Sequence, residues 1–113
     1  MADSCLFCRI VRKEIPAKIV AETEDCVAFR DINPQAPVHI LVIPRQHVAS
    51  LDEHPAGTLL GKVLLLCASL AREEGIAESG YRAVINTNGD GGQTVFHLHA
   101  HLLGGRRMAW PPG

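Results

Sequence analysis

The chain has 113 residues, 47% of them hydrophobic and 20% charged, which is enough to build one domain around its own core and argues against a disordered chain. Its formal charge of −1 excludes the broad basic surface that binds duplex nucleic acid, so no nucleic-acid partner is expected. The most apolar segment, residues 59–71, is shorter than the roughly 20 residues that span a bilayer. With no leader pattern at the amino terminus, we expect a cytoplasmic protein without membrane contact.

The first elements predicted along the chain are a short helix and a β-hairpin. Residues 5–11 have helical apolar spacing, with Ser4 as the expected N-cap and Pro16 as a break. Residues 18–21 and 26–29 are rich in β-formers and flank an acidic turn, which indicates two paired strands.

A third strand and a long helix follow. Residues 38–43 are apolar apart from His39, and a proline ends the run. Residues 57–74 lack proline and stop at Gly75, which is typical of a helix with a glycine at its end. The apolar stripe of this helix is wider than one face, so we expect it to be deeply buried or covered by a second subunit.

Two further strands are predicted at residues 81–86 and 96–103, with a turn-rich loop between them. Strands in local succession with one long helix between them favour an α+β fold, a five-stranded antiparallel sheet with one long and one short helix. Two cysteines in apolar runs, Cys26 and Cys67, are predicted to be core residues.

Three histidines alternate with small or aliphatic residues in the last strand: His97, His99 and His101. Because side chains alternate along a strand, the imidazoles are expected to line one face, with neighbours about 6.6 Å apart at the backbone. One metal ion could recruit two of them easily, but hardly all three. A neutral imidazole can also attack phosphorus, and His99 is best placed to do so. The alternative is an exposed histidine-rich strand or an adventitious metal patch.

A glycine-rich loop, residues 89–94, lies just before these histidines. It offers unobstructed backbone N–H groups together with amide and hydroxyl donors, which a phosphate beside His99 would need. By itself the loop is better explained as a turn between strands, and only its position beside the histidines favours a phosphate site.

These motifs resemble the histidine triad (HIT) superfamily. The segment His97-Leu98-His99-Ala100-His101-Leu102-Leu103 is similar to its His-φ-His-φ-His-φ-φ signature. Four other segments are similar to its Hint branch of purine nucleoside phosphoramidases: residues 29–39, residues 42–44, residues 91–95 and the terminal Trp-Pro-Pro-Gly. The resemblance runs from about Cys5 to Gly113 and implies a single HIT domain, residues 1–113, that forms a homodimer.

The resemblance also implies the reaction: His99 attacks the α-phosphorus of an adenosine 5′-phosphoramidate, an amine leaves, and water then releases AMP. His97, His101 and His39 would orient the site, bind phosphate oxygens and manage protons. Thr94 stands where the branch commonly has serine and would place a hydroxyl near the phosphate or leaving group.

The nucleotide pocket follows from the same resemblance. Asp31 would bind the ribose hydroxyls, although an acid at this point can equally cap a turn. Ile32 would pack on the purine. Trp110 would reach the site of the partner subunit and influence its substrate choice. The alternative is that Trp110 covers the tail of its own subunit. The remaining implied nucleotide-binding residues are Asn86, Gly92, Gln93, Thr94, His99 and His101.

Some bacterial HIT proteins bind a structural zinc through a C-x-x-C pair and two histidines, and this chain has the matching residues Cys5, Cys8, His47 and His97. Zinc here would tie the amino-terminal helix to the sheet and would not activate water. The alternative is a pair of reduced thiols on a short helix. His54 is predicted to be a surface loop residue, and no catalytic cofactor is expected.

Three other functions stay open. The chain could be a nucleotide-binding regulatory module with little turnover. It could hydrolyse dinucleoside polyphosphates, although the Trp-Pro-Pro-Gly ending argues against this. Metal-dependent hydrolysis through His97 and His99 would need carboxylate ligands near that strand.

Overall fold

The computed structural model describes residues 4–113. Its five strands form one antiparallel sheet in the order β1-β2-β3-β5-β4, which confirms the predicted α+β fold. The helices and strands are α1 (Leu6–Val11), β1 (Ile19–Glu22), β2 (Cys26–Arg30), β3 (Val38–Pro44), α2 (Gly57–Glu73), β4 (Tyr81–Val84) and β5 (Ala100–Gly104). β1 and β4 are the edge strands.

Alternation along the strands divides the core between the two faces of the sheet. In β3, Ile40 and Val42 point towards α2, whereas Leu41 and Ile43 point towards α1. The α2 side contains Cys26, Ala28, Ile40, Val42, Val63, Cys67, Leu70, Ala71, Ile76, Ala100 and Leu102. The α1 side contains Phe7, Ile10, Val27, Phe29, Leu41 and Ile43. Cys26 and Cys67 are buried free thiols in the core, as predicted.

Helix α2 ends as the sequence predicts, because Gly75 has a φ of +74° that a residue with a side chain rarely adopts. The helix buries Val63 and Cys67 on the sheet. Leu64 and Leu65, however, are 43% and 72% exposed. The wide apolar stripe therefore leaves part of its surface uncovered within one subunit.

Several predicted boundaries shift by one or two residues, and β4 ends at Val84 instead of residue 86. Two further differences concern residues of the candidate site. The N-cap of α1 is Cys5, whose Sγ accepts the Cys8 N–H at 3.4 Å, and not Ser4. The last strand begins at Ala100 instead of residue 96, so His97 and His99 precede it. The ladder with β3 starts at Val42 opposite Ala100, close to Pro44, which has no N–H to continue it. No helix in residues 4–113 is long and apolar enough to cross a bilayer.

Candidate active site and metal centre

The ring of His99 is held in one tautomer by the main chain. Its Nδ1 lies 2.7 Å from the carbonyl oxygen of His97, which can only accept, so Nδ1 carries the hydrogen and the neutral ring keeps a lone pair on Nε2. Phe7 packs edge-to-face on the ring with centroids 5.1 Å apart. Burial lowers the pKa of His99, with the bond to His97 acting in the opposite direction. His99 is therefore neutral at neutral pH.

The free nitrogen of His99 reaches the surface of the protein. Among residues 4–113, every buried side-chain nitrogen or oxygen has a hydrogen-bond partner. Within this described part of the chain Nε2 of His99 has none, although the residue as a whole is only 6% exposed. Nε2 is thus an accessible nitrogen with a free lone pair.

His101, in β5, pairs with His39, in β3. Nε2 of His39 lies 2.9 Å from Nδ1 of His101 and 3.4 Å from a carboxylate oxygen of Asp31. The Gln35 backbone N–H donates to Nδ1 of His39 at 3.0 Å. Burial first, and then the neighbouring His99 and His39, lower the pKa of His101 to about 4. The rings of His99 and His101 have centroids 5.0 Å apart, which brings the two together at one site.

Two cavities open beside these histidines, with volumes of about 560 and 370 Å³. They share a wall that contains Asp31 and Ile32, and the Ile32 side chain is fully exposed. His39 lines the larger cavity, while Phe7 and Thr94 line the smaller one. The predicted ribose and purine contacts, Asp31 and Ile32, thus lie in an open apolar groove next to the histidines.

The glycine-rich loop is shaped by main-chain contacts. A side chain at Gly91 would collide with the Thr87 carbonyl, and Gly92 has a φ of +85°. The Asn86 carboxamide lies beside Gly92, with its nitrogen 3.8 Å from where a Cβ there would stand.

Gln93 does not offer its side-chain amide to a ligand. The amide donates both hydrogens, to the carbonyls of Ala49 and Val95, and its oxygen accepts the Asn88 N–H. The Gln93 backbone N–H also donates, to the Asn88 carbonyl at 3.0 Å, and the Gly92 N–H donates to the Gly89 carbonyl at 3.0 Å. Neither N–H is therefore free for a phosphate in this arrangement. Thr94, by contrast, is exposed.

Trp110 lies on the carboxy-terminal tail and is 82% exposed. The tail is held to edge strand β4, where the Arg82 guanidinium donates to the Ala109 carbonyl. Trp110 therefore does not cover its own subunit, and the structure does not bring it to the histidines of the same chain.

The four predicted metal ligands come together between α1 and the sheet. The ligand atoms of Cys5, Cys8, His47 and His97 all lie within 4.8 Å of one another. Nδ1 of His97 is 3.4 Å from Cys5 Sγ, and Nδ1 of His47 is 3.2 Å from Cys8 Sγ. Because Nε2 of His97 donates to the Pro44 carbonyl at 2.8 Å, its Nδ1 lone pair faces the thiols. This donor set fits tetrahedral Zn²⁺.

The triad histidines do not share a metal. His97 turns to the cysteines, whereas the second metal-compatible group in the described part of the chain consists of Asp31, His39 and His101. Neither group includes His99, which leaves metal-dependent hydrolysis through His97 and His99 without a site. His54 is exposed on a loop, as predicted.

The sequence analysis missed two contributors. Phe7 packs on both His97 and His99 and lines the smaller cavity. The position of Phe7 next to Cys8 on an apolar helix could have indicated that Phe7 lies close to the metal-ligand histidine. The Gln35 N–H acts through the main chain, so its residue type carries no signal.

Comparison with known proteins agrees with this arrangement. The HIT domain profile matches residues 12–108. An uncharacterised HIT-like protein of Synechococcus elongatus is 58% identical over the full length of both chains. The purine nucleoside phosphoramidase of Escherichia coli K12 is 48% identical over 96% of this chain and 92% of its own.

Two solved structures extend the comparison. A HIT family hydrolase from Legionella pneumophila superposes with a TM-score of 0.95 at 51% identity, covering 97% of this chain and 100% of its own. A Zn-bound histidine triad family protein from Mycobacterium smegmatis has a TM-score of 0.80 at 33% identity, covering 100% of this chain and 82% of its own. Zinc is therefore a plausible occupant of the cysteine–histidine group.

Proposed function

This chain belongs to the HIT domain family, and from that membership we propose that it hydrolyses the P–N bond of purine nucleoside 5′-phosphoramidates. One observation carries the proposal: the bond from His99 Nδ1 to the His97 carbonyl leaves Nε2 unprotonated, unpartnered within the described chain and accessible beside a groove. The 48% identity to a purine nucleoside phosphoramidase supports the choice of substrate.

The reaction has two displacements at phosphorus. Nε2 of His99 attacks the α-phosphorus, the P–N bond breaks, and the amine departs with a proton. The positive charge that develops on the ring is stabilised through Nδ1–H by the His97 carbonyl at 2.7 Å. Water then attacks phosphorus, the bond to Nε2 breaks, and AMP leaves with the neutral ring restored.

The groove supplies the nucleotide contacts. Asp31 accepts from the ribose hydroxyls, and Ile32, next to it in the same wall, packs on the purine. The phosphate oxygens are held by Nε2–H of His101 and the hydroxyl of Thr94. The N–H groups of Gly92 and Gln93 donate to the carbonyls of Gly89 and Asn88, so these two residues shape the loop and do not donate to the phosphate. Asn86 lies beside Gly92 and is proposed to complete the nucleotide pocket.

Structural zinc is proposed at Cys5, Cys8, His47 and His97. When bound, it supplies a crosslink between α1 and the sheet. The two histidines and two cysteines are already within bonding range of one centre, and His97 is fully buried. Through the same residue, the main chain orients His99.

A homodimer is proposed on the basis of the uncovered side of the molecule. β4 is an edge strand whose far side is unpaired within the subunit, and two neighbouring leucines of α2 are exposed. An unpaired edge and an apolar helix surface are both features that a second subunit can cover. In such a dimer the exposed Trp110 approaches the partner's groove.

The test is intact-mass analysis after brief exposure to an adenosine phosphoramidate, combined with steady-state turnover. The wild-type protein should gain a nucleotidyl adduct, whereas H99A should form none and lose turnover by at least about 10³-fold while still binding AMP. H54A, which changes an exposed histidine outside the groove, is the control and should match wild type.

Turnover or adduct formation by H99A would remove His99 from the nucleophile role. AMP binding by a wild-type protein that never turns over the phosphoramidate would favour a regulatory nucleotide-binding module. Faster turnover of a dinucleoside polyphosphate than of any phosphoramidate would assign that substrate class instead.

A further inference from the structure

The backbone amide of Gln35 determines where His39 carries its hydrogen. Gln35 lies in the loop between β2 and β3, and its N–H donates to Nδ1 of His39 at 3.0 Å. A backbone N–H can only donate, so Nδ1 must be the accepting nitrogen and the neutral ring carries its hydrogen on Nε2. His39 is only 6% exposed, so water cannot readily replace this contact.

The tautomer of His39 determines the tautomer of His101 through the hydrogen bond between the two rings. Nε2–H of His39 donates to Nδ1 of His101 at 2.9 Å, with an Asp31 oxygen as a more distant acceptor at 3.4 Å. His101 must then carry its own hydrogen on Nε2. Protonating Nδ1 of either ring would place one N–H against another and break a hydrogen bond.

The charges around the pair oppose one another. Asp31 faces both rings and favours their protonated forms, whereas His99 lies beside His101, and Lys18 and Arg30 line the same cavity as His39. Burial is the largest influence and lowers the pKa of both rings. The electrostatic environment therefore agrees with the hydrogen-bond geometry in keeping the pair neutral.

We propose that the Gln35 amide locks His39 and His101 in one neutral tautomeric arrangement, so that His101 serves the phosphoryl group as a neutral N–H donor and does not protonate the departing amine. This rests on the proposed function. If His101 gave up its Nε2 proton and took one from His39, then His39 would be left as an anion, since the Gln35 amide has no proton to give. The proton that the amine takes when the P–N bond breaks therefore comes from solvent water, and the hydroxide left behind is neutralised by the proton that the second water releases when it attacks phosphorus.

The same lock disfavours a metal ion at the second metal-compatible group, Asp31, His39 and His101. A metal bound to Nε2 of His39 would force the hydrogen onto Nδ1, directly opposite the Gln35 N–H. The protein loaded with zinc should therefore hold one ion per chain, at the cysteines.

The direct test is the ring ¹⁵N chemical shifts of His39 and His101 in the zinc-loaded protein, without substrate, from pH 8 to pH 5. We expect both residues to keep Nδ1 unprotonated and Nε2 protonated over this range. Q35A removes the side chain but keeps the N–H and should give the same pattern, whereas Q35P removes the N–H and should give mixed tautomers or protonation near pH 6.5.

Protonated Nδ1 on either ring of the wild-type protein between pH 5 and pH 8 would overturn the lock. So would a Q35P spectrum with the wild-type pattern in a folded protein. If Q35P does not fold, the wild-type and Q35A titrations decide alone. Because no substrate is present, the lock is tested even if the protein turns over no phosphoramidate.

The second test is whether His101 acts as an acid. H101Q keeps a neutral N–H donor, and H101L removes it. We expect H101Q to retain kcat within about tenfold of wild type. The decrease in kcat should be the same for an AMP phosphoramidate of an aromatic amine and for one of an alkylamine. A general acid contributes about 10²–10⁴-fold, mostly for poor leaving groups. A loss with the alkylamine about 10²-fold greater than with the aromatic amine would show that His101 donates the proton.

Discussion

At the scale of single residues, main-chain groups set the histidine chemistry. His97 donates from Nε2 to the Pro44 carbonyl, and His99 donates from Nδ1 to the His97 carbonyl. His39 instead accepts from the Gln35 amide. These different partners give chemically identical side chains different free nitrogens, so Nδ1 of His97 faces the thiols and Nε2 of His99 keeps an unused lone pair.

The lowered pKa of His101 predicts how stability depends on pH. Its folded-state pKa of about 4 lies below the ordinary value of 6.5, so the unfolded chain binds a proton that the folded one does not. The stabilisation is complete above pH 6.5 and is lost as the pH falls towards 4. Urea unfolding at pH 7 and pH 4 should give a decrease on the order of 2 kcal/mol in the free energy of unfolding that is missing in H101Q.

An equal decrease in H101Q would assign the pH dependence to other groups. Both proteins are to be compared without metal, because zinc release at low pH would add its own contribution.

At the scale of elements, α1 is too short to be stable alone. It has six residues, and isolated helices below about 12–15 residues are marginal in water. It stays in place because Phe7 and Ile10 pack on the sheet and because Cys5 and Cys8 face His47 and His97. Docking of this helix therefore depends on both the apolar contacts and the metal ligands.

Removing a metal ligand should loosen α1. C8S is expected to bind less than one zinc ion per chain and to show no further loss of Tm with a chelator, whereas chelation should lower the wild-type Tm by about 5 °C or more. The control is C67S, which changes a buried cysteine on the other face of the sheet. It should be less stable than wild type but keep its zinc and its response to the chelator.

Zinc content and thermal unfolding with and without chelator measure both effects. A wild-type protein whose zinc content is negligible after expression in zinc-rich medium would leave the four residues as a hydrogen-bonded thiol–imidazole group only.

At the scale of the whole molecule, the subunit leaves large apolar side chains and an edge strand uncovered. Leu65 is 72% exposed on α2, and Trp110 is 82% exposed on the tail. Helix α2 packs on the sheet and contacts its edge strand β4. An exposed apolar helix surface and an unpaired strand edge therefore occur in neighbouring elements. This combination favours the homodimer over a permanently monomeric protein.

A charge on that surface should separate the subunits. L65E is expected to shift the mass in solution from dimer to monomer, because burying an unpaired carboxylate at an interface is costly. L51E places the same charge on another exposed leucine, in the turn Leu51–Glu53, and should stay dimeric. Light scattering after size exclusion measures both. A monomeric wild type would contradict the proposed assembly.

The amino-acid sequence by itself determined the five strands and the two helices. These follow from local apolar periodicity and from proline and glycine breaks, which act over short stretches of chain. The members of the metal group came from the resemblance to the HIT superfamily, because spacing alone indicated only the pair Cys5 and Cys8. Tertiary structure alone decided that the last strand begins at Ala100 and that the Gln93 side-chain amide donates to the carbonyls of Ala49 and Val95. It also decided which nitrogen of each histidine is free. Those outcomes depend on carbonyl and amide groups brought close from distant segments, and a main-chain group is the same in every residue except proline, so no residue type announces it.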